Sequence, residues 1–259
     1  MNVNNVKESS AGLSEFELER YDRQISINRW GLEGQKKLKS SRVMVAGIGG
    51  LGSVSSLYLA AAGIGKLLLI DKDTVSLSDL NRQILYSEEN IGHSKVEVAK
   101  RKIESLNSEV KVEAVRKEIT KENVYDLIKN VDVVVDGLDN WNTRFILNEC
   151  CVRKLIPFVH AGVSEFYGQI TTVIPGRGPC LRCVFPKKPR ELEVISVFGA
   201  IPGVLASLQV IEVIKIITGI GKLLVGRMLF LDGEGMTCEE MEIKRNPNCP
   251  ICGSLERSK

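Results

Sequence analysis

The stretch RVMVAGIGGLGSVSSLYLAAA, residues 42–62, joins a β-branched run to a glycine-rich turn and then to a small, apolar segment. Arg42 to Ala46 predicts a buried strand, and Ser53 to Ala62 a helix packed against a sheet. Between them Gly47, Gly49 and Gly52, with Gly50 inside the same turn, fit the spacing G-x-G-x-x-G. Glycine lets backbone approach phosphate oxygens, and the N–H groups and dipole at a helix start favour an anion there. The unit opens a nucleotide-binding α/β sheet, although a tight turn without a ligand would also accept these glycines.

Working outward, Lys66 to Ile70, Val110 to Val115 and Val131 to Asp136 read as strands, with a helix over Lys95 to Ser105. Strands alternating with helices predict an α/β fold with a Rossmann-like, doubly wound, mainly parallel sheet. Ile156 to His160 and Gly168 to Ile174 follow one another with no helix between, which predicts antiparallel strands at the C-terminal edge. Gly203 to Thr218 reads as a long buried helix, and 227–232 with 237–244 as a late strand pair. Upstream, EFELERYDRQ from Glu15 is helical in pattern, and Gly34 to Lys39 predicts a short basic helix. Residues 1–14 read as a mobile tail and 15–259 as one continuous domain.

The 259 residues are 44% hydrophobic and 26% charged, enough to bury a sizeable core. A net charge of +3 excludes a nucleic-acid-coating protein on charge alone, so an anion site has to be local. The most apolar stretch, Ile211 to Ile220, is broken by Glu212 and Lys215, which argues against a membrane span. Without a charged segment leading into an apolar one near Met1, and with seven cysteines, the expected compartment is the cytoplasm.

Asp71 ends the second strand 19 residues beyond Gly52, where a carboxylate accepts hydrogen bonds from a ribose diol, and Asp73 stands close by. The glycine turn alone does not choose between NAD and ATP. Asn81, Arg82, Gln83 and Lys95 tilt the choice, because a triphosphate under nucleophilic attack needs fixed cations for the charge that builds on pyrophosphate. A nicotinamide-dependent oxidoreductase remains the rival reading, and a regulatory protein that keeps the fold without activity is a second. Asp136 and Asp139 follow the run VDVVV at a place suited to Mg²⁺; Asp139 is the better candidate, and Asn140 doubles as a helix N-cap. Only His93 and His160 are available, so histidine acid–base chemistry is disfavoured and the nucleophile should come from the substrate.

Cys180-Leu-Arg-Cys183 and Cys249-Pro-Ile-Cys252 form two C-x-x-C pairs separated by 65 residues. Four thiolates in two tight pairs predict a closed, structural Zn²⁺ site, with a redox pair as the rival. Cys150, Cys151 and Cys238 read as small buried hydrophobes.

Taken together, YDRQI (21–25), GIGGLGS (47–53), LLIDKDTVSLSDLNRQ (68–83), IGHSKVEVA (91–99), DGLDNWNTR (136–144), SLQVIEVIK (207–215) and the two cysteine pairs resemble the MoeB/ThiF/HesA family, the core of ubiquitin-activating enzymes. That resemblance implies adenylation, with ATP and Mg²⁺, of the C-terminal glycine carboxylate of a small β-grasp, ubiquitin-like carrier protein with a Gly-Gly tail. It implies that the Gly50 turn meets ATP and Asp71 the ribose. Asn81, Arg82 and Lys95 would then face the phosphates, and Asp139 the magnesium. Arg23 matches an arginine that in this family crosses a homodimer interface to the partner's triphosphate. The segment FPKKPRELEVISVFGAIPG (185–203) lacks the cysteine of thioester-forming relatives, and only seven residues follow Cys252. A MoeB-like enzyme that stops at the acyl adenylate is the expectation, with no nucleic acid and no membrane among its partners.

Overall fold

The computed structural model of the chain describes residues 12–191 and 196–255. Helices α1 (Glu15–Arg20), α2 (Asp22–Ile25) and α3 (Gly31–Ser40) lead into β1 (Arg42–Ala46), α4 (Gly50–Ala62) and β2 (Lys66–Ile70). Next come α5 (Lys95–Leu106), β3 (Lys111–Val115), α6 (Val124–Leu127), β4 (Val133–Asp136), α7 (Trp141–Lys154) and β5 (Phe158–Ser164). The C-terminal part holds β6 (Tyr167–Val173), α8 (Leu181–Val184), α9 (Ala200–Thr218), β7 (Arg227–Asp232) and β8 (Thr237–Glu242).

Among the described residues eight strands form one sheet in the order β3-β2-β1-β4-β5-β6-β7-β8. β3 through β5 pair in parallel, and β5 through β8 pair antiparallel. The parallel strands are near-continuous apolar runs because helices cover both of their faces. Val43, Val45, Leu67 and Leu69 pack in a core with residues of α4, α5 and α9, whereas Met44, Ala46, Leu68 and Ile70 pack toward α7 and the cysteine pairs. The expected fold class is therefore observed, with the antiparallel strands where the missing crossover helix placed them.

Differences from the sequence reading have local causes. The single helix expected from Glu15 is two, because Tyr21 leaves helical geometry (φ −101°, ψ 11°) to bury its ring and accept a hydrogen bond from Asn107. α4 begins inside the glycine turn at Gly50, and α9 begins at Ala200, ahead of the expected starts. β5 runs on past His160 to Ser164 because β6 pairs along its whole length. The expected tail falls mostly on residues 1–11, outside the described residues; Leu13, also assigned to it, is buried, and Ser14 caps α1 through a capping box with Glu17. Cys238 is exposed, a correction to its expected burial, since β8 is an edge strand with every residue in solvent. α9, at 19 residues, is long and apolar enough by length and composition to cross a membrane, yet it packs against α3, α4, β5 and β6.

Candidate active site

In the order β2-β1-β4, the chain leaves β1 toward one side of the sheet and β4 toward the other, and a crevice opens at the carboxyl ends of these strands. There lies a cavity of about 530 Å³, lined by Gly47, Gly49, Gly50, Asp71, Asp73, Arg82, Gln83, Lys95, Asp139 and Asn140 among others. Three expected residues lie outside this lining. Gly52 is buried, and a Cβ there would stand 1.9 Å from the Gly47 carbonyl oxygen, so its task is to let helix and strand backbones touch. Asn81 is exposed and its side-chain oxygen accepts from Arg82 at 3.0 Å. Arg23 is exposed on α2, away from the cavity of its own chain.

The glycine turn is fastened from both sides. Gly47 takes φ +83°, and a Cβ on it would meet the Gly137 carbonyl oxygen at 2.7 Å. The Ile48 N–H donates to Asp71 at 2.7 Å, and the Tyr86 hydroxyl donates to the Ile48 carbonyl at 2.8 Å. Asp71 also accepts the Asp73 N–H on its other oxygen at 2.8 Å. A carboxylate has about four lone-pair sites, so Asp71 keeps acceptors for a diol while it holds the turn.

The cations are organised by Asp79, a residue the sequence reading passed over. Its side chain is buried and accepts from Ser76 N–H and Oγ at 3.0 Å, from Gln83 Nε2 at 2.8 Å and from Arg82 at 3.4 Å. Lys95 Nζ stands 3.3 Å from its second oxygen. Burial raises the Asp79 carboxyl, but the Ser76 bonds and the Lys95 charge outweigh burial and hold it below its ordinary value. One fixed anion thus aims Arg82, Gln83 and Lys95 at the same space. The signal was present as Ser76-x-x-Asp79, a capping box.

Opposite the cations, Asp139 is exposed to the cavity, and among the described residues only the Asn140 amide hydrogen-bonds its carboxylate, at 3.5 Å. Asn140 caps α7 by accepting the Thr143 N–H at 2.9 Å. Asp73 is raised by burial and by its neighbours Asp71 and Asp139, with Lys95 and Lys72 opposing. Such crowded carboxylates beside phosphate-sized space suit a hydrated Mg²⁺, which is held by one or two carboxylates plus phosphate oxygens. Asp136, offered as a second magnesium ligand, turns away instead: it is fully buried and bound to Leu138, Arg144 and His160.

Away from the cavity, the sulfurs of Cys180, Cys183, Cys249 and Cys252 all lie within 4.8 Å of one another. Cys180 and Cys249 are 3.7 Å apart, and Cys183 and Cys252 3.4 Å, close to the roughly 3.8 Å edge of a ZnS₄ tetrahedron with ~2.3 Å bonds. The Cys180 thiol and the Asn246 N–H lower the Cys183 thiol, and contact with Cys183 together with burial raises Cys180 and Cys252, so without a cation the clustered sulfurs favour one thiolate among them. The cluster fits a structural zinc site. Burial pushes the Cys150 thiol up to about 11 and raises the Cys151 thiol as well, so neither is an activated nucleophile.

Known proteins are similar to this chain over most of its length. The SAMP-activating enzyme E1 of Haloferax volcanii is 41% identical over 246 residues, covering 93% of this chain and 91% of that one. The sulfur carrier protein adenylyltransferase of Thermus thermophilus is 40% identical over 247 residues, covering 92% and 91%. Among solved structures, E. coli MccB with ATP superposes with a TM-score of 0.78 at 28% identity, over 90% of this chain and 74% of that one. Residues 21–251 match the ThiF family, and the chain belongs to it.

Proposed function

We propose that the protein is an ATP-dependent adenylyltransferase. It activates the C-terminal glycine carboxylate of a small ubiquitin-like sulfur-carrier protein with a Gly-Gly tail and releases pyrophosphate. The observation that carries this reading is the convergence on one cavity of the glycine turn, two cations fixed by Asp79, and the unanchored Asp139 carboxylate. A relative named sulfur carrier protein adenylyltransferase and a structural neighbour solved with ATP support it. A nicotinamide enzyme would leave Arg82, Lys95 and Asp139 without a task.

In the reaction a carrier carboxylate oxygen bonds to the α-phosphorus as the bond to pyrophosphate breaks. The carboxylate is already a nucleophile, so the protein has to offset repulsion between anions and hold them in line. Arg82 and Lys95 take up the charge that develops on pyrophosphate, the glycine turn N–H groups face phosphate, and Asp71 holds the ribose. Asp139 would hold Mg²⁺, which when bound neutralises phosphate charge.

The working unit in this reading is a homodimer. Tyr58 and Ala61 on α4 and Val204 and Ile211 on α9 are exposed although the two helices pack on each other, leaving an apolar outer face. α2, with Arg23, packs on α3, and α3 on α9. The two cysteine pairs, read as a thiolate set, support a reducing compartment, and the cytoplasm is the compartment this reading proposes.

The test is ATP–pyrophosphate exchange driven by small β-grasp proteins that end in Gly-Gly. Exchange with at least one carrier is expected, and Asp139→Ala should abolish it in a folded protein. Exchange by that variant near the wild-type rate, or binding of NAD in place of ATP by calorimetry, overturns the reading.

A further inference from the structure

Beneath the loop that carries Asp139 lies a buried polar assembly for which the proposed chemistry has no direct use. Val135 is paired with Val159 in the parallel β4–β5 ladder, which sets Asp136 beside His160 at the next position. Both side chains are fully buried. His160 Nδ1 stands 2.6 Å from Asp136 Oδ2, and Arg144 Nε from α7 stands 3.2 Å from the same oxygen. The other carboxylate oxygen accepts the Leu138 N–H at 3.0 Å, while Arg144 donates to the Leu138 carbonyl and, at 3.2 Å, to the Ala161 carbonyl. The two polar groups of Leu138 are therefore held by the two ends of one ion pair. On the opposite side, Gly137 is so tight against the turn that a Cβ would stand 2.3 Å from the Gly47 oxygen. Of this loop, Asp139 alone offers the cavity an acid side chain, and its backbone follows the pinned residue directly.

We infer that His160 is a positioning residue for the adenylation reaction: its Nδ1–H fixes the Asp136 carboxylate, which with Arg144 pins the Leu138 peptide and so sets where Asp139 stands. This rests on the proposed function. The imidazole is enclosed by Trp141, Phe158 and Phe185, with ring centroids 5.9, 6.5 and 6.4 Å away. Burial, and after it the opposing pull of Asp136, act on the ring, and burial wins, holding it below its ordinary value. A neutral ring with its proton on Nδ1 leaves Nε2 as a bare acceptor, in keeping with that buried atom having no hydrogen-bond partner among the described residues. One carboxylate, one guanidinium and one neutral donor then balance in charge, and His160 supplies the shortest contact to the oxygen that Arg144 shares.

Asparagine places an amide nitrogen near the position of Nδ1, whereas glutamine reaches the position of Nε2, so the two separate donor geometry from polarity. His160→Phe removes the donor while filling the aromatic site. With wild-type exchange as reference, His160→Gln and His160→Phe should lose about 10- to 100-fold in kcat and need more Mg²⁺ for half-maximal rate, while His160→Asn stays within about threefold. A second readout needs no turnover: the further rise in Tm when MgCl₂ is added to ATP-bound protein should persist in His160→Asn and vanish in His160→Gln. Wild-type kcat and Mg²⁺ dependence in folded His160→Gln or His160→Phe overturns the inference, as does loss in His160→Asn equal to that in His160→Gln. If wild type itself supports no exchange, the adenylation reading falls, while the thermal shifts still decide whether His160 sets the Mg²⁺ response.

Discussion

Lys95 Nζ stands 3.3 Å from Asp79 Oδ2, and both side chains are only 8% exposed. Neither group is free to move, and the same carboxylate also holds Arg82 and Gln83. The arrangement couples the positions of both phosphate-facing cations to one residue that does not line up with phosphate itself.

Asp79→Ala should therefore act on catalysis as strongly as loss of a single cation. Arg82→Ala or Lys95→Ala should each cost about 10²- to 10³-fold in exchange rate, the usual loss for one preorganised donor. Asp79→Ala should match them and also destabilise the fold by about 1–3 kcal/mol, because Lys95 and Gln83 lose a buried partner. Rates within a few fold of wild type in the folded variant would detach Asp79 from the site.

The same residue predicts a pH dependence. Its folded-state carboxyl lies below the unfolded value, so its stabilisation is complete above about pH 4 and is lost as pH falls toward and through the folded value. Denaturant titrations of wild type and Asp79→Asn should converge on acidification below about pH 4. A constant stability gap between them across that window contradicts the assigned ionisation.

The four clustered sulfurs predict one zinc per chain, released by strong chelators with a fall in Tm. Cys183→Ser should lower Tm and metal content together, while the folded fraction keeps ATP affinity, since the cluster shares no residue with the cavity lining. Metal well below one equivalent in protein prepared without chelator removes the site.

The parallel strands were legible because RVMVA, KLLLI and VDVVV can be buried on both faces only in a covered sheet. The cavity's acids and cations were legible because they cluster just after strand ends. Asp79 and His160 were not, since their meaning depends on partners brought by folding: Lys95 for the first, and Asp136 across the β4–β5 ladder for the second. Cys238 misled for the opposite reason, as a strand-like sequence does not reveal that β8 ends the sheet with solvent on both faces.

Cys238 is the one exposed thiol among the described residues, so it decides whether the chemistry ends at the adenylate. It lies on the edge strand and is absent from the cavity lining. Cys238→Ser should leave exchange unchanged and form the same carrier adenylate. A thiol-sensitive adduct with the carrier that requires ATP and disappears in this variant would extend the reaction to a thioester.

Arg23 supplies the last test, because it carries the dimeric part of the reading. It is exposed on α2, makes no ion pair among the described residues and is absent from the cavity lining of its own chain. In the proposed dimer, a guanidinium so placed would reach the triphosphate of the second protomer, with the apolar face of α4 and α9 as the proposed interface. Arg23→Ala should then lose exchange while its own cavity still binds ATP. In an equilibrated mixture of Arg23→Ala and Asp139→Ala, hybrid dimers carry one cavity with both defects and one with neither, so part of the activity should return. Each parent alone has no intact cavity, and the recovered rate should follow the hybrid fraction measured by native mass spectrometry. Hybrids that form without recovery place Arg23 outside the site, and a monomer by light scattering at assay concentration removes the shared-site reading altogether.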